Sequence, residues 1–210
     1  VGKPVYELLG GKRRDFVPTK WSISGVAPEK AADIATWAKS IGFQKMKVKV
    51  GIDPESDVAR VAAVRAAVGS QMPLGADANG GWIDADTALR VIDRLRPFDL
   101  KFIEQPVAAG DLFGMARVRR DANLPIIADE SVYTIEDARN LHEAKAADVF
   151  SIYVGKAGGI GPAWRIAEYA LKNNLAATIG SNLELGIGSA AMTHLGLASA
   201  GVKSDEYPCA

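Results

Sequence analysis

The sequence predicts an α/β fold built from repeated β/α units, and a (β/α)-barrel fits the repeat better than the runner-up, an open doubly wound sheet. Three observations carry that expectation. Short β-like runs alternate with helical patterns along the whole chain. Seven such runs recur at a spacing of roughly 25 residues. Four of them end in a charged residue just before the following loop.

Taken in order, the candidate strands are "FVPTKWSIS" (16–24), "KMKVKV" (45–50), "PLGADA" (73–78), "LKFIEQ" (100–105), "PIIADE" (125–130), "DVFSIYVG" (148–155) and "LAATIGS" (175–181). The second is the most telling. Lys45, Lys47 and Lys49 alternate with Met46, Val48 and Val50, so a strand would carry a row of ammonium groups on one face and an apolar row on the other. Between the strands lie helix signals. Asp53-Pro54 reads as an N-cap followed by Pro at the first position, with Val58, Val61, Ala62 and Val68 at helical spacing. A second helix is expected from Asp84 or Asp86, carrying Leu89, Ile92 and Leu95. Thr134 with Asp137 three residues on is close to a capping box. "GPAWRIAEYALKNN" has Pro near its start and ends in Asn173-Asn174, a helix stop. Linkers, low-complexity segments and charge runs are absent, so 1–210 is expected to be one domain.

Composition excludes several classes. The 210 residues carry no net charge, so nothing in the composition suggests a nucleic-acid partner, which would want a basic patch. No apolar run approaches the roughly 18 residues of a membrane span, and the first residues lack the apolar core of a signal peptide. A single cysteine, Cys209, cannot form an internal disulfide, which makes a cytoplasmic location the expectation. The expected partners are a small carboxylate substrate and further copies of the chain. The chain begins at Val1 and stops at "SDEYPCA", which reads as a fragment of a longer protein.

The strand ends supply the chemistry. Lys49, Asp77, Glu104 and Asp129 follow one another at spacings of 28, 27 and 25 residues. In a parallel barrel all strand C-termini lie on one rim, so these four would converge there. A lone Asp or Glu at such a place is commonly a helix cap, but matching positions on successive strands point to a shared task. Three clustered carboxylates repel unless a cation sits among them, and all-oxygen ligands favour Mg²⁺. A lysine beside that cation and beside Lys47 is expected to have a depressed pKa, which suits proton abstraction next to a carboxylate to give a metal-stabilised enediolate. Interior salt bridges are the competing reading for Lys47 and Lys49, and Lys45 is expected to be structural.

The combination "KVKVG", "GADANGGW", "FIEQP", "IIADES" and "GKAGGI" resembles the enolase superfamily, in its muconate-cycloisomerase-like subgroup. The resemblance covers nearly the whole chain. It implies a (β/α)₇β barrel with Mg²⁺ or Mn²⁺ held by Asp77, Glu104 and Asp129, with Lys49 as base and Lys47 as its electrostatic helper. It also implies an N-terminal capping domain and a last strand that lie beyond this chain, leaving an incomplete barrel. One position departs from the pattern: where many members carry a second lysine on the sixth strand, this chain has Tyr153. Tyr153 would donate a proton, orient substrate or fill space. Lys156 would contact a substrate carboxylate or make a loop salt bridge. Glu184, in "GSNLELGIGS", would bond near the substrate or serve as a helix N-terminal charge. Asn79 and Glu130 would hold the metal ligands or lie in solvent. The His–Asp pair of mandelate-racemase-like relatives has no match; His142 is expected at the surface and His194 in a structural role.

The resemblance therefore implies a divalent-metal isomerase or lyase. With one lysine and a tyrosine, a cycloisomerase or dehydratase of a small organic acid is favoured. The alternatives are an epimerase or racemase of a carboxylate, or an inactive barrel with a scaffold role.

Overall fold

The computed structural model describes residues 1–209. All seven candidate strands are present, each trimmed at one or both ends: β1 Trp21–Ile23, β2 Met46–Lys49, β3 Leu74–Asp77, β4 Leu100–Glu104, β5 Ile126–Ala128, β6 Val149–Ile152 and β7 Ala176–Ile179. Helices alternate with them: α1 Val5–Leu8, α2 Pro28–Ser40, α3 Pro54–Val68, α4 Ala85–Leu95, α5 Leu112–Asp121, α6 Ile135–Glu143, α7 Ile160–Lys172 and α8 Gly186–Ala198. The fold class is α/β, of the incomplete (β/α)-barrel type. Contacts divide the chain into two compact units, one of Lys20–Ser131 with Ala144–Asp148, the other of Val1–Thr19, Val132–Glu143 and the chain from Val149 onward.

The helix starts follow the expected chemistry. Asp53 accepts from the Ser56 amide at 2.9 Å, ahead of Pro54. Of the two candidates for the next start, Asp84 is the cap, accepting from the Thr87 amide at 2.7 Å. Thr134 and Asp137 bond each other's amides at 3.1 and 2.8 Å, which completes the capping box. α7 ends at Lys172 with Asn173 as its C-cap, and Asn174 follows in the left-handed conformation.

In the first unit β1 to β5 pair in parallel, in chain order. Their helix-facing residues Ile23, Met46, Val48, Leu74, Ala76, Ile103 and Ile126 are fully or almost fully buried. Against them come Ala31, Ala35 and Ala38 of α2, Val61, Val64 and Val68 of α3, and Ile92 and Leu95 of α4. The small alanine side chains let α2 sit close to the sheet. Trp21 belongs to this layer: it opens β1, and its ring meets Trp37 and Phe43 edge-on. In the second unit β6 and β7 pair in parallel, and beyond α8 the described chain adds only isolated bridges, Ala177 to Val202 and Thr19 to Cys209.

Candidate active site

Strand register brings the charged residues of the first unit together. Lys47 lies beside Gly75, and Lys49 beside Asp77. Asp77 lies beside Glu104, and Glu104 beside Ile127. Side chains alternate along a strand, so Lys47, Lys49, Asp77 and Glu104 share one face, and Asp129 falls on it two residues past Ile127. Neighbouring strands are about 4.8 Å apart, so Lys49, Asp77 and Glu104 form a row of adjacent charges.

The row is neutralised from within. Lys47 Nζ lies 2.8 Å from both Asp77 Oδ2 and Glu104 Oε1, and all three side chains are almost wholly buried. Lys49 Nζ donates to Asp77 Oδ2 and to Asn79 Oδ1, each at 2.6 Å, but its side chain is 32% exposed. The two lysines of the alternating strand therefore differ in kind. Burial opposes the Lys47 charge, but Glu104 and Asp77 outweigh it and hold the ammonium above the ordinary lysine range. Burial likewise opposes the Asp77 charge, and Lys47 with Lys49 overcomes it, holding the carboxyl low. At Glu104 burial wins and pushes the carboxyl up to about 7, with Lys47 and Lys20 pulling against it and Asp77 and Asp129 adding to it.

Around this row a web of polar contacts sets the loops. Asn79, at φ 46°, accepts from Lys49, takes Asp77 Oδ1 on its amide at 3.0 Å and donates to Glu130 Oε1 at 2.7 Å. Asn79 and Glu130 thus belong to the cluster. Burial pushes Glu130 up, against the Asn79 hydrogen bond.

Three further residues stand here that sequence reasoning did not single out. Gln105 is fully buried at φ 37°; its Oε1 accepts from the Asp129 and Ser131 amides at 2.9 and 3.2 Å, and its Nε2 reaches Val107 O and Ser131 Oγ. It ties the end of β4 to the loop that carries Asp129. Asp57 of α3, fully buried, accepts from the Gly51 amide at 2.7 Å, from Arg60, and from the Trp82 indole at 3.2 Å, so it fixes the loop just after Lys49. Lys20 is buried just before β1 and acts on Glu104. An invariant spacing could not reveal these three, because each acts through a contact between separate loops or strands.

Glu104 Oε2 and Glu130 Oε2 are buried and have no hydrogen-bond partner among the described residues. Such orphaned carboxylate oxygens beside Asp77 suit a hard divalent cation. Among the described residues no three His, Cys, Asp or Glu side chains close in tightly enough to hold an ion alone. Two of the carboxylates, Asp77 and Glu104, are instead paired with the ammonium groups of Lys47 and Lys49.

Tyr153, Lys156 and Glu184 lie in the second unit. Tyr153 follows β6 and is buried, and Lys156 Nζ lies 4.3 Å from its ring centroid. Glu184 Oε2 accepts from Ser181 Oγ at 2.6 Å and the Asn182 amide at 2.9 Å, which outweighs burial and keeps its carboxyl low. These contacts organise the turn before α8. His142 is half-buried: its Nδ1 lies 3.0 Å from the Tyr169 hydroxyl, where α6 packs on α7. His194 stacks at 5.5 Å on Tyr6. Among the described residues no helix is long and apolar enough to cross a membrane.

Residues 29–209 match the family described as Enolase C-terminal domain-like. The L-Ala-D/L-Glu epimerase of Bacillus subtilis is 38% identical over 197 residues, covering 92% of this chain and 53% of that protein. Muconate cycloisomerase 1 of Rhodococcus opacus is 33% identical over 208 residues, covering 96% of this chain and 54% of that protein. A solved dipeptide epimerase of Cytophaga hutchinsonii, complexed with Mg and the dipeptide D-Ala-L-Val, superposes with a TM-score of 0.91 at 34% identity, over 95% of this chain and 54% of that one. The chain spans about half the length of the curated relatives it matches. It belongs to the enolase superfamily, as a member of the Enolase C-terminal domain-like family.

Proposed function

We propose that this chain carries the site for removing the proton α to a carboxylate, with Lys49 as the base. The observation that carries this is the division of labour between the two lysines. Lys47 is buried and held charged by two carboxylates, whereas Lys49 is partly exposed and reaches the same Asp77 from the open side. A substrate can approach Lys49 and not Lys47. Lys49 would accept the proton on Nζ, and Asp77 and Asn79, already within 2.6 Å, would take up the ammonium's hydrogens. Lys47 would hold Asp77 and Glu104 in place and keep the local field positive.

Asp77, Glu104 and Asp129 are the proposed ligands of a divalent cation, Mg²⁺ or Mn²⁺, which would supply fixed positive charge opposite the negative charge that develops on a carboxylate losing its α-proton. The orphaned Glu104 Oε2 supports this ligand set.

For the reaction itself, a cycloisomerase or dehydratase is proposed, because Tyr153 stands where the resemblance places a second lysine. An unperturbed phenol near pKa 10 is a poor base but a serviceable proton donor. A second reading, an epimerase, is supported by the 38% identity to the Bacillus subtilis epimerase, whose name gives a dipeptide substrate. Solvent-deuterium exchange in the full-length protein with Mg²⁺ tests both, using L-Ala-D-Glu and the lactone of muconate as probes. Deuterium at the dipeptide α-carbon with inversion would favour the epimerase; exchange or ring opening of the lactone would favour the cycloisomerase. In either case Lys49→Ala is expected to lower exchange by roughly 10²- to 10⁴-fold with metal affinity nearly intact. Tyr153→Phe should keep exchange and lower turnover about 10- to 100-fold. Exchange that survives in Lys49→Ala would mean that another group removes the proton.

A further inference from the structure

The turn after β6 folds one side chain back onto another. Ala157 N donates to Tyr153 O at 2.9 Å and Gly159 N to Val154 O at 2.8 Å, with Gly158 and Gly159 at φ 85° and 130°. A side chain at those φ values would be strained, so glycine is what lets the chain reverse so sharply. The reversal carries Lys156 over the ring it follows. Its Nζ donates to Ser151 O at 3.0 Å, lies 4.3 Å from the Tyr153 ring centroid and 5.2 Å from that of Tyr133. Tyr153 also lies against Gly180, the residue that follows β7. A Cβ placed on Gly180 would lie 2.4 Å from Tyr153 Cζ and 2.7 Å from Ser151 Oγ. Residue 180 has to lack a side chain for a phenol to stand where Tyr153 stands.

We propose that Lys156 and Gly180 are positioning residues for Tyr153: Gly180 leaves the space the ring fills, and Lys156 clamps the ring face and favours its phenolate, so that the hydroxyl gives up its proton more readily. The proposal rests on the reading of Tyr153 as a proton donor. Its physical basis is twofold. An ammonium within about 6 Å of a ring face is attracted to it, and the partial desolvation here strengthens the attraction. A phenolate offers that ammonium more negative charge than a phenol does, so the charged ring gains more from Lys156 than the neutral one. Two aromatic faces and a backbone carbonyl also confine the lysine, which in turn fixes the ring it touches.

The test reads the phenol directly. Tyrosine ionisation is followed by absorbance near 295 nm, and the trace of Tyr153→Phe is subtracted to isolate Tyr153 from the other tyrosines. Lys156→Met is expected to raise the Tyr153 midpoint by about 0.5–1.5 pH units. Lys156→Arg should return it to the wild-type value or below, because a guanidinium keeps its charge through the whole range. In a Gly180→Ala background, where the ring must move, Lys156→Met should no longer shift it. Lys156→Gln replaces the Met variant if that one does not melt cooperatively. An unchanged midpoint in the neutral variants, or an Arg variant that behaves like Met, would overturn the proposal. A protein inert toward both carboxylate probes but with these shifts would remove the proposed reaction and leave the Lys156–Tyr153 pairing standing.

Discussion

Lys47 shows what one residue decides. Its ammonium, 2.8 Å from each of two buried carboxylates, belongs to a side chain that is itself almost wholly buried. A buried ion pair adds little net stability, because desolvation of the charges offsets their attraction. Removing one partner is another matter, since Asp77 and Glu104 would be left facing each other with nothing between them. Lys47→Met keeps the volume and removes the charge; it is expected to destabilise the protein by about 3–5 kcal/mol, measured by urea unfolding without added metal. A loss under about 1 kcal/mol would mean that Lys49 takes over the position. The alternation of lysines was legible in the sequence and correctly put Lys47 and Lys49 on one face. Which of them is sealed and which reaches solvent was not legible, because that depends on where β3 and β4 end relative to β2.

At the scale of elements, the site is a consequence of strand register. Asp77 and Glu104 are neighbours only because β3 and β4 pair as they do, through an irregularity between Leu74 and Ala76. Gly75 sits at that irregularity. A Cβ there would lie 2.1 Å from Phe102 Cζ, so the Phe102 ring fills the space that residue 75 leaves open. Phe102 thus forms an apolar floor one residue pair below Glu104, on the same face. Gly75→Ala is expected to destabilise by about 1–3 kcal/mol through overpacking, and Phe102→Leu in the same chain to recover part of that loss. Denaturant midpoints of the two single variants and the double variant check it; additive losses would rule out the contact. The sequence placed the strand at 73–78 and its closing Asp77 correctly. It gave no reason for Gly75, since a glycine inside a strand shows only that something approaches, not what does.

At the scale of the whole molecule, the charged row couples stability to pH and to metal. Glu104 is raised to about 7, so the folded state binds its proton more tightly than the unfolded chain does. That contribution is complete below the unfolded value near 4.5 and is lost as pH rises through 7. Asp77 works in the opposite sense, but being lowered it acts below the usual Asp range, outside this window. Metal-free protein is therefore expected to lose about 3 kcal/mol of stability between pH 5 and pH 8, and Glu104→Gln to lose most of that slope. Metal ligands bind in their deprotonated form, so Mg²⁺ should stabilise more at pH 8 than at pH 5. Thermal melts at the two pH values, with and without Mg²⁺, decide it; equal stabilisation at both would separate Glu104 from the metal site.

By itself the sequence determined the order of strands and helices, the helix starts at Asp53 and Thr134, and the charged residues at the strand ends. Each of these is a local property: a period of two or 3.6 residues, a side chain bonding an amide three residues away, a spacing that repeats. Tertiary structure decided the rest. It made Lys47 a buried counterion and left Lys49 open, tied Asp129 to Gln105, and anchored the loop after Lys49 on Asp57 and Trp82. It also turned Glu184 inward to its own turn and laid Lys156 on Tyr153. Burial and proximity between residues distant along the chain fix a charge's protonation and a ring's orientation, and neither quantity exists until the strands are in register.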